Sequence, residues 1–410
     1  MNNQTAKNIN ILEYLLLFLG FLNFTGRGTY LLIAFAGLYI VLRIRSIQFN
    51  MNTGTVIYLA FFTTYLAATL FFSELRDIMA PVCGLLMFFI GQAVALQTED
   101  PKEIKRMIFV SIAGITTHGI LNFLINMMQV ENLASREVKD IWAGTQQATG
   151  HMHVFIPLIA GGFVILFLTK SHWLNRFFGI LCLLIGVVYT FMCATRYIFY
   201  LFLIVIALGL VMFFIENKDP DGRRKMLTKI GIFTLLLTVI FAFDLFGART
   251  AFLSSNLVMR VEGFQVDTAV SSADRSEQVE EVLSNFEVYL LGGKPTGIPF
   301  VHNSWVSSLN FGGIFLFLSF TVLTLRLIYI LFPCKKQVDF VSFAYLFGYV
   351  TCIVVYCWIE SITDSARILF YLMSMVLGVM EGIAVRSPME IRTDSDEVGS
   401  VDSEEEGAIL

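Results

Sequence analysis

A histidine, an asparagine and a cluster of glycines stand immediately before a long apolar stretch, where Leu290 to Phe315 reads LLGGKPTGIPFVHNSWVSSLNFGGIF. A titratable His302 at the threshold of a membrane-spanning helix points to proton transfer or anion contact at a membrane surface, because imidazole changes charge near neutral pH. Asn303 or Ser304 caps the helix that follows and turns the positive end of its dipole toward His302. Ahead of them, Gly292, Gly293, Lys294, Pro295, Thr296 and Gly297 form a flexible connection that could wrap an anion or turn a corner. Without a GK[ST] ending it is not a Walker A loop.

The other chemistry-bearing residues are mostly basic. Arg27, Arg76, Arg196, Arg275, Lys294 and Arg367 each fall at or near the end of an apolar run, on the side that holds few other cations. Guanidinium groups recognise concentrated negative charge through bidentate hydrogen bonds; snorkelling to lipid headgroups is the alternative for any single one. Arg196 lies in CATRYIFY, a turn too short to be a solvated loop, where a guanidinium at the bilayer edge calls for a partner. Asp274 followed by Glu277 resembles a helix start, opening from Arg275 an amphipathic helix with Val279, Val282, Leu283, Phe286 and Leu290 at helical spacing. Arg275 beside free backbone N–H groups suits a phosphate, and packing on neighbouring loops is the other role for the apolar stripe. Glu74, Asp77, Glu360 and Asp364 are carboxylates at the same edge and rank as reserve bases.

The elements that must position these groups follow from composition. With 56% hydrophobic and 15% charged residues in 410, the chain cannot cover its apolar surface as a soluble globule and reads as an integral membrane protein. The pattern predicts an all-α fold of about twelve transmembrane helices: Ile9 to Phe24, Thr29 to Leu42, Thr55 to Phe72, Ile78 to Leu96, Met107 to Met128, Val154 to Thr169, Phe177 to Cys193, Tyr197 to Ile215, Leu227 to Phe246, Trp305 to Leu331, Val341 to Trp358 and Ile368 to Ile383. Lysine and arginine collect on one side, from Lys7, Arg43 and Lys105 to Lys225, Lys335 and Arg386, which assigns that side to the cytoplasm. The opposite side receives a large extracytoplasmic loop, about 247–304, carrying the amphipathic helix, with Trp142, Trp305 and Trp358 near that boundary as aromatic anchors. Residues 1–386 form one transmembrane domain. Residues 387–410 form an acidic tail that reads as disordered and makes the formal net charge of −4 uninformative about the active face. The N-terminal apolar run reads as a retained helix, not a signal peptide. The six cysteines show neither a disulfide nor a zinc framework.

The segment HNSWVSSLNFGG is similar to the signature of the O-antigen ligase and O-antigen polymerase superfamily, through His302, Asn303, Trp305, Leu309 and Gly312. Thr195-Arg196 resembles that family's arginine in a tight outer turn, with threonine where serine is usual, and Arg275 matches its second loop arginine. The resemblance runs from about Phe177 to Leu331. It implies a GT-C-type membrane glycosyltransferase with an undecaprenyl-diphosphate-linked oligosaccharide as donor, a glycan or lipid-linked acceptor, and no metal or other cofactor. Arg196 and Arg275 would then stabilise the diphosphate leaving group, and His302 would take the acceptor proton or contact phosphate as a cation. Lys294, Asn303, Arg76, Arg367 and Arg27 would help to bind substrate. The implied location is the bacterial cytoplasmic membrane with the site facing outward, among membrane lipids and with a chain-length regulator as a further partner; nucleic acid is not one. The polymerase branch is preferred to the ligase branch. A flippase for the same lipid-linked oligosaccharide is the reading from another class, disfavoured because only Arg326 stands out as a cation inside a span.

Overall fold

The computed structural model describes residues 9–98, 101–128, 137–142, 146–148, 218–253, 276–298 and 301–386, with scattered helical residues between 200 and 215. Arg196, Arg275, the predicted spans Val154 to Thr169 and Phe177 to Cys193, most of the span from Tyr197 to Ile215, and the acidic tail lie outside the described residues.

Among the described residues helices form where the apolar runs predict them, and local capping chemistry sets many of their ends. Helix α1 (Ile11–Phe21) begins with a reciprocal capping box between Asn10 and Glu13, and α2 spans Gly28–Arg43. Helix α3 (Thr53–Phe72) opens on Asn52, whose side chain accepts from the Thr55 N–H. Helices α4 (Met79–Gln97) and α5 (Pro101–Met128) follow, the latter starting six residues before its expected apolar onset. Asp219 caps α6 (Pro220–Ala242), with proline in the first turn where its missing N–H costs nothing. Helix α7 covers Ser304–Tyr329, α8 Phe340–Ile359 and α9 Arg367–Val385. Among the described residues six helical stretches are long and apolar enough to cross a membrane by length and composition, Ser304–Lys335 counted as one, and α1, α2 and the apolar part of α8 are shorter. The protein is therefore a helical membrane protein. Its described departure from helix is a short antiparallel strand pair, Glu137–Lys139 with Gln146–Ala148.

Helix α9 is the packed centre, buried along nearly its whole length and lying parallel to α4. Small residues bring the two backbones together: a Cβ on Gly378 would run into the Phe88 carbonyl, and one on Gly91 into that of Met375. Close van der Waals contact of this kind holds helices together where lipid supplies no hydrophobic driving force.

The bundle has two chemically different faces. On one, charged residues are paired and largely buried: Arg43 grips Glu13 at 2.5 and 3.1 Å, and Arg326 grips Glu381 at 2.6 and 2.8 Å. Asn52 adds a 2.9 Å bond to Glu381, and Gly54 leaves room for that carboxylate. Lys105 meets Asp339 at 2.8 Å on the same face. Burial raises the Asp339 carboxyl, but its bonds to Lys105 and to Ser342 outweigh that effect and hold it below the usual carboxylate range. The opposite face carries the turns Phe24–Gly26 and Leu75–Ile78 and the start of α9 at Arg367. Cys83, Cys334, Cys352 and Cys357 are buried in the packed interior; for Cys334 this corrects the expectation of a place at the border of a loop.

Candidate functional site

The expectation of a single span from Trp305 to Leu331 needs correction, because α7 reverses direction at Gly313. Trp305 Nε1 donates to Thr324 Oγ1 at 3.0 Å although the two residues are 19 apart in sequence. On a continuous helix that separation is about 28 Å. Gly313 adopts φ 70° and ψ −164°, a conformation open essentially to glycine alone. Residues 304–312 thus form a short re-entrant helix folded back along residues 314–329, and the Trp305 ring packs 6.3 Å from Phe320. The reversal leaves carbonyls open, and the glycine-rich loop fills them: Gly293 N–H donates to Phe311 O at 2.8 Å and Lys294 N–H to Asn310 O at 2.9 Å. In return Ile314 N–H donates to Leu290 O at 2.9 Å. The loop predicted to wrap an anion or turn a corner therefore closes a helix end with its backbone.

This reversal relocates His302. It does not stand at the entry of a straight span; it lies at the far end of the re-entrant helix, about 12 Å along its axis from the turn. Trp305, expected as an anchor at the membrane boundary, is half-buried against α7, and its indole meets that of Trp358 at 6.1 Å.

His302 is held by the segment that links α8 to α9. Its Nδ1 lies 3.0 Å from Glu360 Oε2, in a pair whose side chains are 25% and 8% exposed. A carboxylate at that nitrogen selects the tautomer with the proton on Nδ1 and the lone pair on Nε2. Three further bonds fix the frame around the pair. Ser304 Oγ donates to Glu360 O at 2.6 Å and accepts from Ile362 N–H at 3.0 Å, while Asn303 Nδ2 donates to Trp358 O at 3.3 Å. Asn303 also caps the re-entrant helix, its Oδ1 accepting from the N–H groups of Trp305 and Val306 at 3.0 Å each. The capping role expected of Asn303 is present, and Ser304 serves as the clasp.

The cations predicted to bind substrate occupy different places. Lys294, at φ 54°, sits at the turn end of the re-entrant helix and carries its ammonium 5.5 Å above the Phe311 ring. From there Phe311, Tyr65 and Phe370 make an aromatic floor with ring spacings of 6.3 and 5.8 Å, leading toward Arg367 one turn earlier on α9. Arg367 pairs with Asp77 at 2.9 Å, and Arg76 with Glu74 at 2.8 Å on the exposed surface. Arg27 is exposed near Thr29, whose hydroxyl lies 3.1 Å from Tyr371 Oη on α9. Arg27, Arg76 and Arg367 thus gather at neighbouring helix ends of one face, and the length of the re-entrant helix separates the backbone of Lys294 from that of His302.

The loop helix at 276–284 and its continuation Phe286–Tyr289 pack on the re-entrant segment. Val282 and Tyr289 join Val301, Val306 and Leu309 in a small core, whereas Leu283 and Phe286 of the predicted stripe are exposed. Val279, Val282 and Tyr289 keep helical spacing on the buried side, and Leu283 and Phe286 fall outside that narrower face. Sequence reasoning ranked Glu360 only as a reserve base; the partnership with His302, 58 residues away, has no local signal. Compared with protein-family models and with curated protein sequences, the chain matches none.

Proposed function

We propose that this chain is a metal-independent, inverting membrane glycosyltransferase. It transfers an undecaprenyl-diphosphate-linked glycan to an acceptor hydroxyl at the outer face of the bacterial cytoplasmic membrane, polymerising surface-polysaccharide repeat units. The observation that carries the proposal is the His302–Glu360 pair at the N-terminus of a capped re-entrant helix. A carboxylate-oriented imidazole is suited to general-base work. As the acceptor oxygen bonds to the anomeric carbon, its proton passes to Nε2 of His302. The bond from that carbon to the diphosphate oxygen breaks, and the diphosphate leaves with the electron pair. Cationic groups offset the charge that develops there. Arg196 and Arg275 are assigned that role, with Lys294, Arg367, Arg76 and Arg27 as contributors to substrate binding. On this reading the chain crosses the membrane about twelve times, the large loop that runs into the re-entrant helix belongs to the outer side, and the face bearing Arg367 is the outer one.

The bidentate pairing of Arg326 with Glu381 speaks against the flippase alternative, because the cation inside a span that favoured it is already neutralised by a neighbour. The test is purified full-length protein supplied with lipid-linked donor and acceptor. Wild type is expected to lengthen the glycan and His302→Ala to lose transfer while still inserting in the membrane; no transfer by wild type overturns the proposal. A deletion strain that accumulates single lipid-linked repeat units supports polymerisation, and one that accumulates full-length lipid-linked polymer assigns the chain to the ligase branch.

A further inference from the structure

Contacts between neighbouring helices fix the depth of the His302–Glu360 pair within the bundle. Gly293 N–H bonds Phe311 O, and a Cβ on Gly293 would meet the Phe72 ring, so the turn at Gly313 stands level with the last residue of α3. At the other end Arg326 and Asn52, the residue before α3, share the Glu381 carboxylate. Between these ends Thr64 Oγ1 lies 2.7 Å from Ser319 Oγ, and the Phe61 and Phe320 rings are 5.7 Å apart. The Trp305 indole meets the same Phe320 and bonds Thr324, which puts it near the level of Phe61. Along α3, Phe61 is about 12 Å from Thr53 and about 17 Å from Phe72. The re-entrant helix therefore carries its N-terminal end to mid-bundle, away from both rims.

Trp358 shares that depth and stands beside the pair. Its ring is 6.1 Å from that of Trp305, its carbonyl accepts from Asn303 Nδ2 at 3.3 Å, and Glu360, two residues on, holds His302 at 3.0 Å. Tyr356, Cys357 and Glu360 are buried, yet Trp358 is 70% exposed. At mid-bundle in a membrane protein, hydrocarbon and not water surrounds such a side chain. The second limb of α7 marks the same layer, with Phe315, Leu318, Val322 and Leu325 exposed at helical spacing. Tryptophan ordinarily settles at the headgroup level, where its N–H stays wet, so an exposed indole this deep calls for a partner. We propose that Trp358 flanks a lateral entrance from the hydrocarbon layer to His302, and that the apolar chain of a lipid-borne substrate packs on its indole while the headgroup reaches the imidazole. This inference rests on the glycosyltransferase reading only for naming that chain as the isoprenoid of the donor.

The depth is measured on full-length protein in which Trp142 and Trp173 are replaced by phenylalanine, so that Trp305 and Trp358, side by side, are the remaining fluorophores. In vesicles of brominated phosphatidylcholine, bromine near the chain ends is expected to quench them more than bromine near the headgroup, and aqueous iodide to quench them little. Strongest quenching by headgroup-proximal bromine or by iodide overturns the proposal, and so does the absence of quenching by any of these probes. The chain contact is read from Trp358→Ala, which is expected to raise KM for the isoprenoid-linked donor about tenfold, with kcat within about twofold. The same glycan on a short, water-soluble isoprenoid should show little change in KM; an unchanged KM for the long-chain donor rejects the entrance. Deep quenching without any transfer by wild type keeps a lipid-facing entrance and refutes the glycosyltransferase, whereas transfer with shallow quenching does the reverse.

Discussion

The 3.0 Å contact between Glu360 and His302 allows a part played through geometry alone or through charge as well. If it merely held the imidazole in place, Glu360→Gln would be nearly silent, since glutamine can accept the same Nδ1–H bond. If it also stabilises the imidazolium formed as the acceptor loses its proton, Glu360→Gln lowers kcat by about 10² or more and leaves KM little changed. Steady-state transfer assays at saturating donor and acceptor distinguish the two outcomes. His302 was legible in the sequence because a titratable residue before an apolar run is conspicuous. Its partner was not, because WIESITDS reads as an ordinary span end and the pairing depends on how two distant segments meet.

The re-entrant helix depends on one backbone conformation. Gly313→Ala puts a Cβ into a region of φ and ψ that other residues avoid, and that Cβ would run into the Leu290 carbonyl. Strain of this kind costs on the order of 1–3 kcal/mol, so the variant is expected to melt lower in detergent and to lose transfer together with the His302 clasp. Hydropathy could not reveal the reversal, because NFGGIFLFLSF is apolar on both sides of the turn; the Gly312-Gly313 pair was the visible signal, and the resemblance absorbed it as part of a signature. Caps were far more legible. Asp339 accepts from Ser342 N–H at the start of α8 at 2.8 Å, and Asp339→Ala should remove about 1 kcal/mol. The Asp339 carboxyl is held below its ordinary value, so its contribution is complete above the unfolded pKa, near 3.9, and disappears as pH falls through the lower folded value. Melting curves of wild type and variant should therefore differ from neutral pH down to about 4 and converge below that.

In the assembled bundle one end holds the buried pairs Arg43–Glu13 and Arg326–Glu381, and the other carries the exposed Arg27 and Arg76. Composition and hydropathy accounted for the helices. They did not account for which charges were already satisfied inside, and Arg326 illustrates the difference. Glu381→Ala leaves its guanidinium partly buried without a counter-charge, a change that costs about 3–5 kcal/mol for a buried pair. Replacing both partners, as in Glu381→Leu with Arg326→Met, should recover most of that loss, because an apolar pair of similar volume is tolerated where a lone charge is not. Yield of folded protein after detergent extraction and the melting temperature report both effects. Recovery identifies the pair as packing; persistent loss of transfer in a well-folded double variant gives it a part in activity.

The hydrogen bonds that seal the carbonyls of Asn310 and Phe311 bear on biogenesis. Residues 304–331 leave the ribosome as one uninterrupted greasy run, long enough for the insertion machinery to accept as a single crossing. Within that run the Gly312-Gly313 pair permits a fold-back, and the backbone N–H groups of Gly293 and Lys294 hold it by docking on the broken end. His302 gains its partner later still, because Glu360 lies 58 residues further along the chain.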